Sequence, residues 1–189
     1  METSPLKILI TGAAGHIAYS ILPLLCSGET FGMDIRISLN LFDLPDKINI
    51  LKGVALELED CSFPLLTSIF VGDAPEVSFQ NVDLAIFLGG MPRKPGMERV
   101  ELLKVNGRIF KEHAQYLQMY AKEDCKVLVV ANPVNTNCLI LQENCPKIPA
   151  SNFVALSWLD LNRAKAQVKP QKNIIIFNRN FALSFINEK

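Results

Sequence analysis

The sequence predicts a doubly wound parallel α/β fold, on three observations. Its strand-like apolar runs are continuous, as in Leu6 to Ile10 (LKILI), and continuous apolar strands belong to sheets covered on both faces. These runs alternate with helix-length amphipathic stretches, the connection that parallel pairing requires. The first run also leads through a glycine loop, Thr11-Gly12-Ala13-Ala14-Gly15-His16-Ile17-Ala18, into a helix.

The first strand covers Leu6 to Ile10, and the helix after it runs from about Ala14 to Ser27. Ile37 to Phe42 is the second strand, closed by Asp43 and by Pro45. Ile50, Leu51, Val54, Ala55 and Leu58 recur at helical spacing up to Glu59, and Pro64 precedes a short strand over Ser68 to Val71. Leu84 to Leu88 is a buried strand stopped by Gly89 and Gly90. From Val100 to Tyr120, apolar residues at 102, 103, 105, 109, 110, 114 and 117 form the stripe of a long helix. Lys126 to Val130 (KVLVV) is the next strand, followed by a turn at Asn132-Pro133. Beyond about Pro146 the pattern weakens to a short strand near Val154 and a helix over Asp160 to Val168. Pro170 is expected to end that helix, before a β-like run from Asn173 to Phe177 and an irregular tail.

The chain has 189 residues, 49% of them hydrophobic, which is enough for one ordinary core. Nineteen basic and nineteen acidic residues cancel, so the chain lacks the positive footprint of a nucleic-acid binder. The uncharged stretch between Lys7 and Glu29 is broken by Gly12, Gly15, His16 and Pro23 and is read neither as a leader nor as a membrane span. Five cysteines without a CxxC pair point to a reduced, cytoplasmic setting, and no metal site is expected.

The GxxGxxA loop carries the first chemistry. Gly12 permits a tight turn, Gly15 lets backbone N–H groups approach a diphosphate, and the small Ala18 lets helix and strand pack closely. Asp43 lies at the end of the second strand, where its carboxylate can take both ribose hydroxyls of NAD and disfavours the 2′-phosphate of NADP. Similar loops open short-chain reductases and sugar epimerases, so the loop alone selects no chemistry. The Tyr-x-x-x-Lys pair of those enzymes is missing: Pro23, Tyr120 and Asp124 stand four after Tyr19, Tyr116 and Tyr120. The second feature is Met91-Pro92-Arg93-Lys94-Pro95-Gly96-Met97-Glu98-Arg99, after a strand end where ligands bind in such sheets. Its two guanidinium groups suit a carboxylate, although the loop by itself reads equally as a solvated charged turn.

Taken together, LITGAAGHIAYS, LFDLP, GVALELEDCSFPLL, GGMPRKPGMERVELLKVN, KVLVVANPVNTNCL and LDLNRAKAQ resemble the cytosolic NAD-dependent malate dehydrogenase family over about residues 6 to 168. The resemblance implies a Rossmann NAD-binding domain over residues 1–150, and over 151–189 only a remnant of the family's second, substrate lobe. It implies NAD as cofactor, with Gly12, Ala13, Ala14, Gly15, His16, Ile17 and Ala18 at the pyrophosphate and Asp43 at the adenosine ribose. Asn106, His113, Val130, Ala131 and Asn132 are the further cofactor contacts implied, His113 standing where the family has a glutamine near the nicotinamide. Arg93 would recognise the distal carboxylate of oxaloacetate or malate, and Arg99 would polarise the reacting carbonyl. Asn132 would also reach the substrate, Arg163 would clamp the carboxylate beside the reacting carbon, and Asp160 would orient the catalytic histidine.

That histidine has no counterpart: NIIIFNRN (Asn173 to Asn180) falls where the family carries it, and the two histidines present, His16 and His113, lie elsewhere. Losing positioned acid–base help costs about 10² to 10⁴ in rate. The family chain also continues beyond the point reached by Lys189. The expected function is therefore interconversion of malate and oxaloacetate, impaired in this chain. The alternative is a catalytically silent NAD-binding protein that forms a homodimer or pairs with a full-length homologue, and a short-chain reductase or epimerase ranks third.

Overall fold

A computed structural model describes residues 4–172, with side chains to residue 167. Its strands are β1 (Leu6–Thr11), β2 (Ile37–Phe42), β3 (Leu66–Gly72), β4 (Leu84–Phe87), β5 (Lys126–Val129) and β6 (Phe153–Ala155). Between and after them lie α1 (His16–Cys26), α2 (Ile48–Asp60), α3 (Pro75–Ser78), α4 (Arg99–Tyr120), α5 (Val134–Asn144) and α6 (Trp158–Lys172). All strand pairs are parallel, in the order β3-β2-β1-β4-β5-β6. The chain winds outward from β1 to β3, returns to β4 and winds outward again. That reversal opens a crevice at the carboxyl ends of β1 and β4.

Strand periodicity divides the core into two layers. Ile8 and Ile10 of β1 pack with Leu39 and Leu41 of β2 against Leu22 and Leu25 of α1 and Leu51 and Leu58 of α2. Leu9 faces the other way, joining Ala85, Phe87, Val127 and Val129 beneath Phe110, Ala114 and Leu117 of α4 and Leu141 of α5. Both faces are thus covered, as the continuous apolar strands required. At the carboxyl edge Thr11 stands opposite Phe42 on one side and Phe87 on the other.

The strand over Lys126 to Val130 and the one near Val154 form as expected and pair in register. α5 was not legible in the sequence, because VNTNCLILQEN carries a weak apolar stripe and gains its order by packing on α4 and β6. α6 continues through Pro170 to Lys172, the last described residue, correcting the expected stop: the fixed φ of proline is compatible with a helix, and the ring costs the one hydrogen bond its nitrogen would donate. The β-like run from Asn173 to Phe177 lies outside the described residues. The chain divides into two compact units, one ending at Leu156 and the other beginning at Ser157 with α6. Among the described residues no helix is long and apolar enough to cross a membrane.

Candidate functional site

The glycine loop joins β1 to α1 with almost no space to spare. Gly12 has φ +66°, and a Cβ there would stand 2.4 Å from the Cα of Gly89 and 2.5 Å from its nitrogen. Two backbones therefore touch where the carboxyl ends of β1 and β4 meet, with the Thr11 carbonyl accepting from the N–H groups of Leu88 (3.2 Å) and Gly89 (3.0 Å). The turn closes through Gly15 N–H to the Gly12 carbonyl at 3.0 Å. α1 then starts with Gly15 as its cap, without a side-chain capping bond and without an acid in its first turn. Its first N–H groups and the positive end of its dipole are left for an external anion. Ala13 and Ala18 are fully buried beneath this loop, whereas Gly15, His16 and Ile17 are exposed on it.

Asp43 follows β2 immediately and is tied to the same loop. One carboxylate oxygen accepts from Ala14 N–H at 2.9 Å and the other from Leu44 N–H at 2.8 Å. Each ionised oxygen retains acceptor capacity for a hydroxyl.

The opposite wall comes from the loops after β4 and β5. Asn106, on the second turn of α4, is completely buried. Its Oδ1 accepts from Met91 N–H at 2.8 Å, and its Nδ2 donates to the carbonyls of Met91 (3.1 Å) and Asn132 (3.2 Å). Val130 and Ala131 both donate to the Phe87 carbonyl, at 2.9 and 3.1 Å, so the β5 exit folds across the end of β4. Asn132 is exposed beyond that bend. Arg93 and Arg99 are exposed too, and among the described residues neither has an acidic partner. Arg93 donates through Nε to the Met97 carbonyl at 3.0 Å, leaving its terminal nitrogens free to fork onto a carboxylate. Arg99 is the first residue of α4, held by a capping box between Glu98 and Glu101.

His113 lies two turns further along α4, in an aromatic cluster. Its ring centroid is 6.1 Å from Phe42, 6.0 Å from Phe79, 5.4 Å from Phe87, 5.8 Å from Phe110 and 6.3 Å from Tyr116. Nδ1 is buried without a hydrogen-bond partner, and burial in this apolar setting lowers the imidazole from 6.5 to about 4. Contact with Phe42, the neighbour of Asp43, puts His113 by the β2 side of the crevice. In the second compact unit, Asp160 and Arg163 are both exposed on α6 and lie 3.6 Å apart as an i, i+3 ion pair.

The model of the lactate/malate dehydrogenase NAD-binding domain matches residues 6–154, most of the chain. The chain belongs to this family. It is 44% identical over 189 residues to cytoplasmic malate dehydrogenase of Gallus gallus, covering 96% of this chain and 57% of the relative. Against the cytoplasmic malate dehydrogenase of Taenia solium it is 49% identical over 164 residues, covering 87% of this chain and 49% of that one. Among solved structures, malate dehydrogenase from Naegleria fowleri superposes with a TM-score of 0.87 at 40% identity, over 93% of this chain and 54% of the other. Trichomonas vaginalis lactate dehydrogenase in complex with NADH and oxamate gives 0.81 at 40% identity, over 89% and 50%. The chain thus spans about half the length of the relatives it matches.

The cofactor of this lactate/malate dehydrogenase domain is NAD. Its requirements agree with the chain's own residues: a glycine at φ +66° that lets the turn after β1 close against Gly89, a helix start without a side-chain cap, and a carboxylate at the end of β2. Sequence reasoning overlooked three contributors. Gly89 meets Gly12 backbone to backbone, and its only advance signal was the Gly89-Gly90 pair after a strand. Asn137 is buried and holds the Ala131 carbonyl at 2.9 Å, within a helix that the sequence did not reveal. Glu98 and Glu101 cap α4, and their E-x-x-E spacing before an apolar run was visible in the sequence.

Proposed function

We propose that this chain is the nucleotide-binding part of a malate dehydrogenase-like oxidoreductase, acting in the cytoplasm on a small dicarboxylic 2-hydroxy or 2-oxo acid. The observation that carries the reading is the Gly12–Gly89 backbone contact, with the uncapped α1 and Asp43 gathered around it. Gly12 to Ala18 would hold the diphosphate through backbone N–H groups, and Asp43 would accept from the adenosine ribose. Asn106, Val130, Ala131 and Asn132 would border the nicotinamide half, with His113 in the place where the family has a glutamine near the nicotinamide. Bound NAD supplies the hydride acceptor, or as NADH the donor. Arg93, with its terminal nitrogens unpaired, would grip the distal carboxylate, and Arg99 would face the reacting carbonyl. By the resemblance, Arg163 would clamp the carboxylate beside the reacting carbon and Asp160 would orient a proton-transfer histidine; in this chain the two pair with each other.

Proton transfer is the weak step. Neither histidine of these 189 residues suits the task, because His16 sits on the diphosphate loop and His113 is packed among aromatic rings. Turnover by this chain is therefore impaired, which favours the second reading, an NAD-binding protein that pairs with a copy of itself or with a full-length homologue. Exposed Tyr19 and Ile50, bordering an open groove of about 510 Å³ between α1 and α2, support such pairing. The deciding experiment has two arms on the purified 189-residue chain. NADH fluorescence titration should show saturable binding. Oxaloacetate-dependent loss of NADH absorbance should be at least about 10² below the 1 to 10³ s⁻¹ of ordinary enzymes. Absence of NADH binding refutes both readings, and turnover in the ordinary range refutes the impairment.

A further inference from the structure

We infer that the turn over residues 94–97 is a positioning element that sets Arg93 for the distal carboxylate of a dicarboxylic acid, acting through the Met97 carbonyl, and that Gly96 is the residue on which it depends. The inference rests on the dicarboxylate reading above. Met97 N–H donates back to the Lys94 carbonyl at 3.1 Å, with Pro95 and Gly96 between them. Proline fixes φ near the value that the second residue of such a turn needs, and Gly96 at φ +80° supplies the left-handed third residue. The side chain just before the turn then leans on it, as Arg93 Nε donates to the Met97 carbonyl at 3.0 Å. That bond occupies the inner nitrogen of the guanidinium and leaves the two terminal nitrogens for a carboxylate.

The chain is tied on both sides of the turn. Before it, the Met91 N–H and carbonyl are both hydrogen-bonded to the Asn106 side chain. After it, Glu98 caps α4 through its box with Glu101, and its carbonyl accepts from Leu102 N–H at 3.2 Å. Met97 is half-buried, whereas residues 91–96 are exposed. With both ends held, the shape of the turn decides where the Arg93 guanidinium projects. The turn itself stands in open space: a Cβ at Gly96 would meet no heavy atom within 4 Å. A side chain placed there acts through φ and not through crowding, which separates backbone conformation from packing. An alanine held in the left-handed region loses a factor of about five to thirty in the population of that conformation. Apparent affinity for a ligand that needs the conformation falls with that population.

The test compares the full 189-residue chain with its Gly96→Asn, Gly96→Ala and Gly96→Val variants. Malonate affinity of the NADH complex is read by calorimetry, NADH affinity by fluorescence, and stability by the unfolding midpoint. Malonate affinity should fall about five- to thirtyfold in Gly96→Ala and further in the β-branched Gly96→Val. It should fall least in Gly96→Asn, because asparagine is larger than alanine yet tolerates the left-handed region. NADH affinity and the unfolding midpoint should not follow that order. In an Arg93→Lys background, which keeps a charge but has no Nε to donate to Met97, Gly96→Ala should change malonate affinity little. Malonate affinity indifferent to residue 96 overturns the inference, as does a ranking by side-chain size that puts asparagine below alanine. An equal loss of malonate and NADH affinity, or an undiminished loss in the Arg93→Lys background, overturns it too. A wild-type NADH complex that binds no malonate refutes the dicarboxylate reading itself, and the inference falls with it.

Discussion

Acid should weaken this protein through His113, and replacing that residue should remove the effect. In the folded chain the imidazole has five aromatic neighbours, an unpartnered buried Nδ1, and an affinity for protons lowered from 6.5 to about 4. The unfolded chain takes up the proton below 6.5, whereas the folded chain resists until about 4. Between those values the unfolded state binds more protons, so stability falls as the pH falls and is fully retained above 6.5. At 1.36 kcal/mol per tenfold difference in proton affinity, the loss is about 2 kcal/mol at pH 5 and about 3 kcal/mol at pH 4. That is a large share of the roughly 5 to 15 kcal/mol that stabilises an ordinary domain. The assay is urea unfolding of wild type and His113→Phe at pH 7.5, 6.5, 5.5 and 4.5, phenylalanine being the ring that the cluster can accept. Carboxylates titrate alike in both proteins, so the difference between the curves isolates the imidazole. Parallel loss of stability in the two proteins from pH 6.5 downward would refute the reasoning.

Two other consequences are open to direct measurement. Gly12→Ala should cost at least the roughly 1 to 2 kcal/mol of a left-handed non-glycine residue, plus the displacement forced by a Cβ 2.4 Å from the Gly89 Cα, and should weaken NADH binding. An unfolding midpoint and NADH affinity equal to wild type would contradict the close approach of the two backbones. Thiol titration of the native chain at pH 8 should find one fast-reacting group, the exposed Cys61. Cys26, Cys125, Cys138 and Cys145 are buried, and loss of solvation pushes the thiols up, Cys26 to about 11 and Cys125 to about 12. A second fast thiol would mean that the packing around one of these four is wrong.

Much of the nucleotide-binding half was legible because its signals are local. LKILI followed by GAAG states a strand, a tight turn and a helix within a dozen residues, and the second strand ends on Asp43 without reference to anything distant. The alternation of apolar strands with helices was also enough to predict two covered faces, because parallel neighbours must be joined by crossovers. α5 escaped notice because its stripe is weak and its order comes from what it packs against, and Pro170 misled because its fixed φ is itself helical, so the ring removes one hydrogen bond without turning the chain out of the helix.

Tertiary contact decided the roles of several side chains whose identities were plain from the start. Asn106 and His113 occupy one stripe of α4, yet one is saturated with hydrogen bonds and the other has a buried nitrogen with none. Gly89 was a strand stop until the fold placed it against Gly12. The sequence by itself determined the strand, loop and helix succession that makes a dinucleotide domain, since each of those preferences acts over a few residues. Which polar groups are desolvated, and which find partners, depends on atoms brought together from distant parts of the chain, and only the folded structure brings them together.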